Sequence, residues 1–152
     1  MYDESSSVHV SYFVLCDQVI TEANTSKQSL IGIYSAITAP QIPFGVNVAV
    51  AIGLRVTSPE PRVVTLQVLD PAGNAVFSPA ELPFDWNAVK SGLLGGEFAT
   101  LQIHLNLQMM PINAAGLYRA QLMLDGQLIS QYLLSVVRHV PQPVRNPGAH
   151  IN

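Results

Sequence analysis

Gly116-Leu117-Tyr118-Arg119-Ala120-Gln121-Leu122-Met123-Leu124-Asp125-Gly126-Gln127-Leu128-Ile129-Ser130-Gln131-Tyr132-Leu133-Leu134-Ser135-Val136-Val137 consists of two apolar-rich runs on either side of Asp125-Gly126. Asp-Gly is the pair that a two-residue type I′ turn prefers, because both central residues need a positive φ. The stretch therefore reads as a β-hairpin. A two-residue loop sets its register: Leu124 opposite Gln127, Leu122 opposite Ile129, Ala120 opposite Gln131 and Tyr118 opposite Leu133, with most of the larger apolar groups on one face. In this register Arg119 and Gln121 point away from Tyr118, Ala120 and Leu122. The second strand keeps a second apolar side, made by Leu128, Tyr132, Leu134 and Val136. That outer face, centred on Tyr132, is expected to be covered, most simply by another copy of the chain or by a partner protein, or else by the tail or the 78–96 loop folding over it.

Upstream of the hairpin the same period-2 pattern recurs, and no stretch of ten or more residues shows a convincing amphipathic helical pattern. Val48, Val50, Ile52, Leu54 and Val56 alternate with small or polar residues over 47–57. Over 100–109, Leu101, Ile103, Leu105, Leu107 and Met109 are expected to face inward, and Thr100, Gln102, His104, Asn106 and Gln108 outward. Val64, Leu66 and Val68 form a shorter strand that ends at the turn residues Asp70-Pro71-Ala72-Gly73-Asn74. Two earlier strands are expected at 8–16 and 30–37, joined through polar residues 21–27. These segments predict an all-β, two-sheet antiparallel sandwich of seven to eight strands. Ala115-Gly116-Leu117-Tyr118 resembles the corner of immunoglobulin-like sandwiches at which a tyrosine hydroxyl ties back to nearby backbone. The expected organisation is a flexible amino terminus at 1–7, the sandwich at 8–140 and a Pro-rich tail at 141–152.

Composition excludes several classes of function. The chain of 152 residues is 49% hydrophobic and 11% charged, against about 25% charge in an average soluble protein, so most of it must bury a core. Seven basic and ten acidic side chains give a net charge of −3 with no basic cluster, which leaves no electrostatic footprint for nucleic acid. No apolar run is long enough for a spanning helix, so no membrane association is expected. Cys16 is the sole cysteine, which fits a reducing, cytoplasmic compartment.

Phe13-Val14-Leu15-Cys16-Asp17, Leu30-Ile31-Gly32-Ile33-Tyr34 and Ala39-Pro40-Gln41-Ile42-Pro43-Phe44 resemble, in this order, a family of small bacterial proteins known only as a domain of unknown function. The resemblance implies a bacterial or phage origin, an immunoglobulin-like β fold and a cytoplasmic location. It carries over no catalytic residue.

Chemistry is not signalled by spacing. His9, His104, His139 and His150 show no HxH or HxxxH pattern, so no metal or other cofactor is expected. Cys16 beside Asp17 lacks the cationic or histidine partner that a reactive thiolate needs. No Gly-x-Ser-x-Gly elbow is present, and Gly92-Leu93-Leu94-Gly95-Gly96 lacks the lysine of a phosphate loop. The chain is read as non-enzymatic, an interaction or self-assembly module.

Two candidate partner-binding features remain. Phe84, Asp85 and Trp86 lie in the long connection 78–96, where Trp86 is expected to anchor a partner with Asp85 giving orientation, or else to plug one end of the sandwich. The outward rows Thr65, Gln67, Gln102, His104, Asn106 and Gln108 are polar without charge, although exposed strands usually carry charges that prevent association. The alternative reading is a small-ligand or carbohydrate site built from Phe84, Asp85, Trp86 and the amide-rich row.

Overall fold

The computed structural model describes residues 7–141 and Gly148, so most of the two expected terminal segments lies outside the described residues. The strands are β1 (Val8–Thr21), β2 (Gln28–Ile33), β3 (Ala36–Ala39), β4 (Phe44–Val56), β5 (Val64–Leu69), β6 (Ala80–Glu81), β7 (Ala99–Ile112), β8 (Gly116–Leu124) and β9 (Gln127–Arg138). One helix, α1 (Trp86–Leu94), interrupts them. They build an immunoglobulin-like sandwich of a four-stranded sheet, β2-β1-β4-β7, and a five-stranded sheet, β3-β9-β8-β5-β6. The core lies between the sheets, where Leu15, Val50, Ile52, Leu54, Leu66, Leu122 and Ile112 are fully buried. No helix among the described residues is long and apolar enough to cross a membrane.

The single strand expected at 30–37 is two strands in different sheets. β2 pairs with β1, and the chain then crosses so that β3 runs parallel to β9, with Ala36 opposite Ser135. Side chains pin the crossing: the Tyr34 amide donates to the Leu15 carbonyl at 2.9 Å, the Tyr132 hydroxyl donates to the Tyr34 carbonyl, and the Tyr34 hydroxyl donates to Asp17.

That last bond makes stability depend on alkaline pH. The Asp17 carboxylate accepting its proton, together with burial, pushes the Tyr34 phenol up to about 12 from the ordinary value of about 10. The folded chain therefore holds this proton more tightly than the unfolded chain. Tyr34's contribution is complete below about pH 10 and is lost as pH rises through about 12. A melting-temperature series should fall across that window, and Tyr34→Phe should fall less steeply. Parallel curves for the two proteins would contradict this account.

The hairpin turn is the expected one, with Asp125 at φ 48° and Gly126 at φ 83°. The Val63 amide donates to Asp125 at 2.8 Å and Arg62 pairs with the same carboxylate, and together they hold it below the usual carboxylate range. The register beyond the turn is not the expected one. Leu124 faces Gln127 and Met123 faces Leu128, but Leu122 faces Ser130, so Ile129 is an extra residue in β9. This β-bulge shifts every later pair by one: Tyr118 meets Leu134 and Ala120 meets Tyr132.

A one-residue shift exchanges the faces of a strand. Leu134 and Val136, expected on the outer face, are 1% and 3% exposed in the core, and Tyr132 packs half-buried against Phe13 with ring centroids 6.4 Å apart. Leu133 takes the outer place at 50% exposure, with Leu128 and Val137 also exposed. The apolar outer face centred on Tyr132 does not exist as expected.

A second bulge acts on β7. Val46 pairs with Met110 but Val48 with Leu107, so Gln108 and Met109 together oppose Asn47, whose side-chain oxygen accepts the Met109 amide at 2.8 Å. Met109 takes φ 52° and faces solvent, and Met110 and Ile112 take the buried positions instead.

Candidate functional site

The expected loop at 78–96 contains β6 and α1. Asp85 starts the helix: its side chain accepts the amides of Asn87 at 3.1 Å and Ala88 at 3.2 Å, the ordinary N-cap arrangement. Val89 is fully buried, and Phe84 stacks on Trp86 with centroids 5.1 Å apart and planes 13° from parallel. Both rings are half-buried against the main core. α1 thus closes one end of the sandwich, which is the plug reading of Trp86. Asp85 is used by the helix backbone rather than presented to a ligand. The cap-then-apolar pattern of Asp85, Val89 and Leu93 carried the signal for this short helix. A shallow apolar groove of about 320 Å³ beside it is lined by Pro59, Lys90, Leu93 and Leu94.

Other polar side chains singled out in the sequence have structural partners. Asp70 accepts the amides of Ala72 and Asn74, each at 2.9 Å, and Asp17 accepts from Tyr34. Cys16 is buried beneath Tyr12 and Leu30 with Val19, Ala49 and Ala51, and burial pushes its thiol up, away from the thiolate form. Gly53 makes room for this cover, since a Cβ there would come within 2.2 Å of the Tyr12 ring. Among the described residues no group of three or more His, Cys, Asp and Glu side chains could hold a metal ion.

The uncharged outward rows are where the sequence places them, and the two sheets treat them differently. On the five-stranded sheet, Gln67 donates to Gln121 at 2.7 Å and Gln121 to Gln131 at 3.1 Å, a ladder across β5, β8 and β9 that satisfies that row internally. On the four-stranded sheet, Thr100, Gln102, His104, Asn106 and Gln108 are exposed on β7. The His104 ring lies beside the side chain of Asn106, with Nε2 3.2 Å from Oδ1.

β7 is an edge strand, with β4 as its ladder partner among the described residues. An edge presents a row of backbone N–H and C=O groups without a strand opposite, and proteins normally guard it with charge, proline or brevity. The other edge strands are shorter. β3 and β6 are four and two residues long. β2 contains Gly32 at φ 68° against the Asp17 carboxyl, and its Gln28 is held by the Tyr12 hydroxyl. β7 runs for 14 residues without a charged side chain. α1 meets it at Ala99, where Gly92 allows close approach, and the bulge at Met109 followed by Pro111 ends its regular part. Between these limits the inward Leu101, Leu105 and Leu107 stay half-buried, whereas Val50, Ile52 and Leu54 on neighbouring β4 are completely covered. The apolar layer runs out at β7 because no strand lies beyond it among the described residues. Strand order is not encoded in local periodicity, so the sequence showed the uncharged row and not the open edge.

Residues 11–137 match a family described as a family of unknown function (DUF6941). No curated protein matches the chain. Among solved structures, an alkylpurine DNA glycosylase from Pseudomonas fluorescens, bound to DNA containing an abasic site analog, is similar at 10% identity with a TM-score of 0.51, over 87% of this chain and 31% of that one. An immunoglobulin-like protein from Pseudomonas aeruginosa is similar at 11% identity with a TM-score of 0.46, over 88% of this chain and 98% of that one. A β-glucosidase from Listeria innocua in complex with glucose has 10% identity and a TM-score of 0.40, over 86% of this chain and 16% of that one. The chain thus spans about a third of the glycosylase it matches, and the likeness is one of fold.

Proposed function

We propose, on the premise that the chain belongs to this family of unknown function, that the domain is a non-enzymatic protein-docking module that takes an extended segment of its partner as an added strand on β7. The observation that carries this reading is the open, uncharged edge with half-buried leucines behind it. Backbone hydrogen bonds along such an edge supply affinity, and pockets for alternate side chains supply selectivity. The small-ligand alternative at Phe84, Asp85 and Trp86 has less support, because the two rings are stacked on each other and on the core and the carboxylate caps α1.

The test is a random-peptide display selection on the full chain, followed by affinities for two variants. Leu105→Lys places an inward-pointing charge on the edge, a device by which natural edge strands are closed. Leu94→Lys changes an exposed residue at the α1 groove. Selected peptides should lose binding to Leu105→Lys and keep it with Leu94→Lys. Failure to select any peptide, or the reverse pattern in the variants, would overturn the reading.

A further inference from the structure

Counted outward from His104, β7 is nearly palindromic in side-chain chemistry: Ile103 and Leu105 at one step, Gln102 and Asn106 at two, Leu101 and Leu107 at three. Two antiparallel copies of one strand related by a two-fold axis pair each residue with the one equally far beyond the axis. With the axis at His104, apolar meets apolar, amide meets amide, and the histidine meets itself. An edge that receives an unrelated segment has no need of this symmetry.

We propose that β7 pairs antiparallel with β7 of a second copy of this chain about a two-fold axis at His104, so that two four-stranded sheets become one continuous sheet. The proposal rests on the docking reading and names its partner. Charge permits the pairing: β7 has no charged side chain, so the two copies meet without like charges opposed although the chain's net charge is −3. Gln102 and Asn106 each have amide donors and an acceptor, so the two can hydrogen-bond reciprocally across the axis. The half-buried Leu101 and Leu107 extend one another's apolar layer. His104 lies opposite Ala51 of β4. The pairing needs only residues 101–107, the stretch between the α1 contact at Ala99 and the bulge at Met109.

Directly opposed residues in an antiparallel pair have Cβ atoms about 4.5–5.5 Å apart. A charge at His104 would therefore face its own copy. The test is sedimentation velocity on the full chain, on His104→Glu, on His104→Lys, and on an equimolar mixture of the two variants. The wild type should be a dimer. Each variant alone should self-associate about 100-fold or more weakly, because like charges are opposed at the interface, and should keep the wild-type circular dichroism spectrum, because His104 is exposed. The mixture should recover the dimer, since glutamate then meets lysine. A wild type that stays monomeric from about 1 μM to about 1 mM overturns self-pairing. So does a dimer that survives in both single variants, which would place the interface elsewhere. If the wild type is monomeric while selected peptides still lose binding to Leu105→Lys, self-pairing fails and the docking reading stands. If the peptides are also indifferent to Leu105→Lys, both fail.

Discussion

Leu134→Ala should cost about 2–5 kcal/mol and its neighbour Leu133→Ala less than about 1 kcal/mol. Ile129 is the extra residue of the β9 bulge, and because of it Tyr118 faces Leu134 and not Leu133. Leu134 is 1% exposed in the core, whereas Leu133 is 50% exposed on the outer face. Burying a large apolar side chain contributes about 1.5–3 kcal/mol. Deleting Ile129 removes the bulge but keeps every pair beyond it, since Ser130 then follows Leu128 and still meets Leu122, so the deletion should cost less than Leu134→Ala. Chemical denaturation of the three proteins measures this. Equal costs for Leu133→Ala and Leu134→Ala would place both residues in similar environments and contradict the bulge.

Tyr118→Ala is the second large effect, at about 3–5 kcal/mol. The ring is 1% exposed and packs between the sheets. Its hydroxyl donates to the Ala114 carbonyl at 2.9 Å and accepts the Ala114 amide at 3.4 Å, which ties the β7–β8 loop to the start of β8. Tyr118→Phe keeps the packing and leaves the Ala114 backbone groups to find other partners. Its cost should be about 1–3 kcal/mol, as for a polar group deprived of its hydrogen bond. Denaturant midpoints at constant slope separate the two contributions. If Tyr118→Phe were as costly as Tyr118→Ala, the hydroxyl and not the ring would hold the corner.

Local chemistry was legible in the sequence. The Asp125-Gly126 turn, the alternation of β4 and β7, the Asp70 turn and the tyrosine corner all depend on residues within a few positions of one another. What depended on distant partners was not. β4 reads as half-buried, but its second face is covered by β1 through Tyr12 over Gly53. Ile129 and Met109 have no local mark as bulge residues, because a bulge is defined by the strand opposite. The split at Tyr34 follows from bonds to Leu15 and Tyr132, which are far away in the chain. The candidate site was legible to the same degree: the uncharged row from Gln102 to Gln108 could be read, whereas the edge position of β7 and the reversal of Tyr132, Leu134 and Val136 could not.

A strand that is long, uncharged and open at an edge would ordinarily invite uncontrolled association. In this protein α1 at Ala99 and the bulge at Met109 confine the regular edge to a short stretch, so that what docks there must fit between them. Amide hydrogen exchange, followed residue by residue through 101–107 from dilute to concentrated protein, tests the completion of that edge by a second copy most directly. Amides of β7 that point toward β4 should be protected at every concentration, and the alternate amides should become protected only as concentration rises. Alternate amides that exchange equally fast at every concentration would contradict it.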